Sequence, residues 1–364
     1  MRTLDRQTVL AHRARRHGLH GDKDAGVLRV GLQDAPSGSA EHGLTVRTAD
    51  PRAGDDPELV RVLSVRGAPH VYRRAELPRV RSELRPRAPE ELRIWLGGHG
   101  PAFLASGVDA LAVLDQTVSL LRERFPGEHA TKGELSAAIS PELPAPARPW
   151  CDGCGTEHVI ENLFRLATLL AGLELDRGDR RLVFRPPREP VTDPQPDGSL
   201  LRAFAHYAGP VKEGDAAAWL VSGALSGVPK PRGWAEIFAE LAPVQLGGAE
   251  YRMDLTGFGE APPPPLVLLP PRDPYLLGHR GFLVPDREIA KQVWRPQVSP
   301  GVLVADGEVA GTWRQRISGR SLYLHVTPFG KLRKGSRAAV GDQAELLAAV
   351  RGAGALHPDV VWET

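Results

Sequence analysis

The segment GVLVADGEVAGTWRQR, residues 301–316, constrains its neighbourhood more than any other stretch of the chain. Two apolar runs flank Asp306-Gly307, a dipeptide suited to the tight turn that joins antiparallel strands. Ahead of it, LVLLPPRDPYLLGHRGFLV at 265–283 sets Asp273 and His279 in an otherwise apolar segment. From 311 to 340 there are seven Arg or Lys and no Asp or Glu. A β-structure with one basic face and no acidic counterweight suits a phosphate backbone. Residues 266–342 are expected to be β-rich, with a short helix following in GDQAELLAAVRGAG.

A chain of 364 residues, 41% of them hydrophobic, has material for two to four compact units. Its formal net charge of +2 excludes a uniformly basic nucleic-acid binder, so any affinity of that kind must come from a local patch. Arg outnumbers Lys 39 to 7, and Arg is the better bidentate ligand of phosphate and guanine. The polar start MRTLDRQTVLAHRARRHGLH lacks a secretory apolar core, and no apolar run approaches a membrane span. Two cysteines make no disulfide framework. The expectation is a soluble cytoplasmic protein without membrane partners.

Further elements follow from spacing. Residues 3–17 are expected to form a helix with a basic exposed face of Arg2, Arg6, Arg13, Arg15 and Arg16. Residues 31–44 are rich in turn formers and read as a loop. Asp55-Asp56-Pro57 reads as the opening of a helix over DDPELVRVL. Residues 65–78, VRGAPHVYRRAELP, suit a hairpin. Leu111, Leu114, Val118, Leu121 and Phe125 recur at helical steps. Thr131 with Glu134 forms a capping box. A second periodic helix is expected over 157–173, then a hairpin turning at Arg177-Gly178-Asp179. A Pro/Asp/Gly-rich linker spans 186–198. Beyond it come a helix pair in LLRAFAHYAGPVKEGDAAAWL, the second helix capped by Asp215. The helix GWAEIFAEL and a hairpin in QLGGAEYRMDL complete the unit. Trp219 and Trp234 are expected in the core, and His206-Tyr207 at a helix end.

The pattern LLPP-x-DPYLLGHR followed by VLV-x-x-G-x-V-x-GTWR resembles the C-terminal region of the AlkZ-like DNA glycosylases, a winged-helix family of alkylpurine repair enzymes first associated with azinomycin resistance. The resemblance extends over nearly the whole chain, most specifically in that segment. It implies an α+β fold of three tandem winged-helix units followed by a β-barrel-like domain. The implied divisions are 1–98, 99–190, 191–262 and 263–364. It also implies a monofunctional glycosylase in base excision repair, hydrolysing the N-glycosidic bond of alkylated or bulky purines in double-stranded DNA. Such an enzyme needs no cofactor and would act as a nucleoid-associated monomer. A non-catalytic winged-helix DNA-binding protein, a regulator or resistance factor, is the alternative.

The family's GLQ segment continues as Gln–apolar–Gln or Gln–apolar–Asp, two polar side chains that work on the sugar side of the lesion. Here Gln33 matches the first, Ala35 stands where the second belongs, and Asp34 lies beside it. The implied catalytic pair is Gln33 and Asp34, which would position water and stabilise charge on the deoxyribose. The alternative is a turn-capping aspartate beside a surface amide. RGAPHV resembles the family's Arg-Gly-Thr-x-His with Ala68 for Thr, so Arg66, His70 and the nearby Arg73 are candidate DNA contacts. Asp273, His279, Arg314, Arg316, His325, Lys331 and Arg333 are the candidates of the β-rich domain. Asp273 could equally be a turn cap. Finally, Cys151-x-x-Cys154-x-x-x-His158 offers three zinc ligands, or two ordinary thiols at a helix start. Three ligands with an open position would also suit a zinc-dependent hydrolase.

Overall fold

The structure is a computed structural model that describes residues 1–21, 25–177, 182–220, 230–295, 297–352 and 356–363. They form a mixed α+β fold in two compact units. One comprises Met1–Leu59, Leu201–Asp215 and Gly233–Thr364; the other comprises Val60–Leu200 and Ala216–Arg232. No described helix is long and apolar enough to cross a membrane.

The first unit is organised by a five-stranded sheet, in the order Val267–Leu269, Gly301–Ala305, Glu308–Ser318, Ser321–Pro328, His357–Trp362. The expected hairpin is there. Ala305 pairs with Glu308, and Asp306 and Gly307 both take positive φ, 53° and 81°, as a turn of this length between twisted strands requires. Alternation along the strands divides the apolar side chains between two cores. Leu268, Leu303, Trp313, Leu322, Leu324 and Val326 pack with Val340, Ala344 and Leu347 of the helix Ser336–Gly352. Val267, Leu269, Val302 and Val304 face the other way and pack with Val9, Leu10 and Ala14 of the helix Arg6–Arg16. A barrel-like closure was expected. The described strands instead form an open sheet, because apolar residues on both faces need cover on both faces, which helices supply. The last strand runs parallel to its neighbour and is reached through Ser336–Gly352, a longer helix than expected.

Three expectations for the first 63 residues are corrected. The residues 39–44 of the expected loop belong to a helix, Ser39–Thr48, whose Ser39, Ala40, His42, Gly43 and Leu44 are buried; the turn formers lie at its entrance. DDPELVRVL is loop and then strand, Leu59–Leu63, since Val60 and Val62 alternate inward with the period of a strand. In Arg6–Arg16, Arg13 is only 1% exposed and donates to the carbonyls of Tyr275, Gly209 and Leu277 at 2.7–3.2 Å, so it is no part of a basic outer face. The helix Trp234–Glu240 and the hairpin Ala242–Leu246/Ala249–Met253 stand where expected.

The second unit is mainly helical. Leu114, Val118 and Leu121 of the helix Ala110–Glu123 pack with Leu135 and Ile139 of Lys132–Ile139 and with Leu163, Phe164, Ala167 and Leu170 of Glu161–Ala171. The capping box forms between Thr131 and Glu134. Leu59–Leu63 and Pro69–Arg73 are adjacent strands, which places RGA at the tip of a hairpin. Glu174–Leu175 and Val183–Arg185 pair antiparallel, and the turn expected at 177–179 lies largely outside the described residues.

Candidate active site and nucleic-acid interface

Gln33 closes the short strand Leu32–Gln33, and Asp34 follows directly; they are 8% and 4% exposed. Asp34 Oδ1 accepts from the backbone N–H of Ala40 at 3.1 Å, in the first turn of Ser39–Thr48. An anion is favoured at a helix N-terminus, where backbone N–H groups have no partner inside the helix. Ser39 Oγ donates to Pro36 O at 2.6 Å and tightens the turn. Gly38 bridges turn and helix at φ 83°.

Long-range partners surround this turn. Arg351, from the C-terminal helix, donates to Ser37 O, and its guanidinium feels the opposite charges of Asp34 and Glu41. Burial nevertheless lowers the pKa of Arg351. A Cβ on Gly38 would overlap the Arg351 guanidinium, so the glycine answers both a left-handed backbone and a close approach. One turn further on, His42 is fully buried with its ring edge-on to Trp313 at 5.4 Å. Neither ring nitrogen has a hydrogen-bond partner among the described residues. Burial, then Arg351 and Arg47, push its pKa down to about 3, so the imidazole is neutral at physiological pH. Arg47 meets Asp273 in a two-pronged ion pair, 2.8 and 3.0 Å, with both side chains at 0% exposure.

That pair decides the place of Asp273. Its carboxylate is buried, holds Arg47, and accepts from the N–H of Tyr275 at 2.8 Å. In the fold it serves as a turn cap and ion-pair partner. Trp313 of GTWR is likewise structural: its indole N–H donates to Leu269 O at 2.9 Å, and it lies so close over Gly301 that no side chain fits there. Sequence reasoning missed Glu41, His42, Arg47 and Arg351. Glu41 and His42 fall within the expected loop 31–44 and Arg47 just beyond it, all three on the helix Ser39–Thr48; Arg351 lies more than 300 residues from the turn it contacts and carries no signal.

In the second unit, His70 is 3% exposed, its Nδ1 bonds to Ala68 O at 2.9 Å, and burial lowers its pKa to about 3. The ring is thus neutral at physiological pH and engaged by its own hairpin. At the same hairpin Arg66 is half-buried at φ 59° and Arg73 is exposed. Arg165 Nη1 donates to Gly67 O at 2.8 Å and steadies the tip.

The basic candidates of the sheet share a face. Arg314 pairs in register with His325, and Arg316 with Tyr323, all pointing away from the Trp313 core. Arg314, Arg316, Lys331 and Arg333 are exposed. Arg316 stacks on Tyr323 with its guanidinium 4.6 Å from the ring centre. The acid-free sequence is not an acid-free surface, however. Asp306 pairs with Arg333 at 2.8 Å, Glu363 with His325 at 3.0 Å, and Asp215 stands 3.4 Å from half-buried His279. Elsewhere, Cys151, Cys154 and His158 bring their ligand atoms within 4.8 Å of one another.

A family profile described as DNA glycosylase AlkZ-like matches residues 27–350. The chain belongs to this family. AlkZ-like proteins are DNA glycosylases, hydrolases of N-glycosyl bonds, and their substrate is DNA. The fold agrees: the solved structure of Streptomyces sahachiroi DNA glycosylase AlkZ superposes with a TM-score of 0.70 at 23% identity, over 99% of this chain and 100% of that chain. Among curated proteins no sequence match is found.

Proposed function

We propose that this AlkZ-like protein removes alkylated or bulky purines from double-stranded DNA, with Gln33 and Asp34 at the reacting sugar. Hydrolysis breaks the bond from C1′ to the purine nitrogen and forms one from C1′ to a water oxygen. The base leaves with the bonding electrons, and the water's proton is released. An N3- or N7-alkylated purine is already cationic, leaves as a neutral base and needs little acid assistance. What remains is to orient water and to balance positive charge on the deoxyribose. Gln33 suits the first task through its amide, and Asp34 the second through its carboxylate.

The observation that supports this reading is the setting of Asp34: a negative group held by the N–H of Ala40 at a helix entrance, with a fixed direction and almost no contact with bulk water. Preorganised charge in such a place acts on a developing cation more strongly than in water. The hairpins at 59–73 and 242–253 and the paired strands Glu174–Leu175 and Val183–Arg185 each fit the wing of a winged-helix unit, and the face bearing Arg314 and Arg316 suits a duplex backbone. This chemistry requires no cofactor, and the protein is proposed to work as a monomer at the nucleoid.

The direct test is release of free base from duplexes carrying N7- or N3-alkylpurines. Release with multiple turnovers supports the proposal. Tight binding of the same duplexes without release, over a panel of small and bulky adducts, would favour the non-catalytic alternative.

A further inference from the structure

The loop Cys151–His158 takes no part in the chemistry proposed above, yet it is built as a ligand set. Trp150–Cys151 and Thr156–Glu157 pair as a minimal hairpin. Its turn is closed by the N–H groups of Cys154 and Gly155, which both donate to Cys151 O at 3.2 and 2.9 Å, with Gly155 at φ 64°. This brings Cys154 back beside Cys151.

His158 completes the set. Its Nδ1 lies 2.8 Å from Val159 O, so the ring proton sits on Nδ1 and the lone pair on Nε2. A backbone carbonyl holding the far nitrogen is the usual partner of a metal-bound imidazole. Two sulfurs and one imidazole nitrogen within 4.8 Å of one another need to close by only about 1 Å to become three corners of a tetrahedron, given Zn–S of ~2.3 Å and Zn–N of ~2.0 Å. The neighbouring carboxylates are engaged: Glu157 with Arg148, and Asp152 with the indole N–H of Trp150 at 3.0 Å.

We propose that Cys151, Cys154 and His158 bind one Zn2+, with water as the fourth ligand, and that the metal pins this hairpin to the start of the helix Glu161–Ala171. Thiolate and imidazole donors in tetrahedral array select zinc over the oxygen-seeking cations. Binding replaces two thiol protons by one dication and changes no oxidation state. The site is placed to act on structure. His158 N–H donates to Pro149 O at 3.4 Å, Val159 N–H to Ser140 Oγ at 2.9 Å and Ile160 N–H to Ala147 O at 2.9 Å, so the segment fixed by the metal sets the entry of a helix whose apolar face lies in the core of its unit. The partial exposure of Cys151 and full exposure of Cys154 leave a path for the ion.

The test uses the full chain, purified reduced and without chelator. Metal analysis is expected to find about one zinc per chain. Removing it with a chelator should lower Tm by several degrees, and adding zinc back should restore it. Cobalt added to the stripped wild-type chain should give thiolate-to-cobalt absorption of tetrahedral type. Cys154→Ser and His158→Ala should each weaken binding by on the order of tenfold or more. The cobalt spectrum needs no variant to fold. Wild-type chain that is reduced yet neither retains zinc nor gives that absorption overturns the proposal. So does undiminished binding in both variants, or a Cys151–Cys154 disulfide as the only product under mild handling. None of these results bears on base release, so the zinc and glycosylase readings fail separately.

Discussion

The turn around Gln33-Asp34 and the turn around Cys151–His158 make an instructive pair. Each is a short polar segment that leads into a helix. The first is buried, contacted by Arg351 from the far end of the chain, and leads into a helix whose His42 meets Trp313 and whose Arg47 meets Asp273. The second lies at the surface and is built from eight consecutive residues. Their histidines show the difference. His42 is forced neutral by burial, whereas His158 has its pKa raised, first by its hydrogen bond to the Val159 carbonyl and also by the facing Cys151. A local motif declares its geometry through spacing alone. A buried site depends on what folding brings to it, and its energetics should respond to changes far away in sequence.

The buried turn and its helix are most exposed to disruption at Arg47. Replacing it with Leu strands the Asp273 carboxylate in a fully buried position, and a loss of about 3–5 kcal/mol in unfolding free energy is expected. Denaturant titration measures it; a loss below 1 kcal/mol would mean that the helix Ser39–Thr48 is not anchored as described.

A pH series sharpens the contrast between the histidines. In the unfolded chain His42 titrates near ~6.5, and in the folded chain near about 3. Between these values the unfolded state binds the extra proton. The stability is therefore full above about 6.5 and is lost as pH falls towards 3, amounting to about 2 kcal/mol at pH 5 from this residue. His42→Leu should remove one proton's share of that slope, His70 among others contributing the rest, and, by removing ring nitrogens that lack partners, cost little at neutral pH. An unchanged slope would show that His42 is not the group responsible.

Gly38→Ala asks how closely the entrance of the helix is fitted. The φ of 83° and the overlap with Arg351 should cost about 1–2 kcal/mol, and Arg351→Ala should relieve part of the penalty in the double variant. Simple additivity would argue against the contact. A smaller effect is expected on the sheet. Replacing Arg314, Arg316, Lys331 and Arg333 together should reduce the slope of log K against log salt by roughly three, short of four because Asp306 already engages Arg333. An unaltered slope would place the DNA-binding face elsewhere.

Much of the fold could be read in advance. The Asp306-Gly307 hairpin, the Ala110–Glu123 helix and the Thr131 capping box announce themselves because turn chemistry, periodicity and capping are local. The residues 39–44 and DDPELVRVL misled for the complementary reason. Gly, Ser and Pro at a helix entrance resemble a loop, and an Asp-Asp-Pro start resembles a helix, until burial of Ala40 and Leu44, or of Val60 and Val62, decides the period. The site divides in the same way. Gln33, Asp34 and the Cys–Cys–His cluster stand out as motifs. Asp273 and His70 do not declare that they are buried, since a polar residue paired inside a protein looks the same in sequence as one facing solvent. The last strand, His357–Trp362, is hidden because its partner is set by a crossover helix and not by a turn.

Asp34 carries the charge on which the proposed chemistry depends. Single-turnover release of an N7- or N3-alkylpurine should fall by on the order of 10²-fold in Asp34→Asn, with duplex affinity nearly unchanged, while Gln33→Ala should cost less. The isosteric amide can still cap the helix Ser39–Thr48 but carries no charge, so a lost rate with retained Tm separates catalysis from capping. Wild-type release that is undiminished in Asp34→Asn would contradict the assignment.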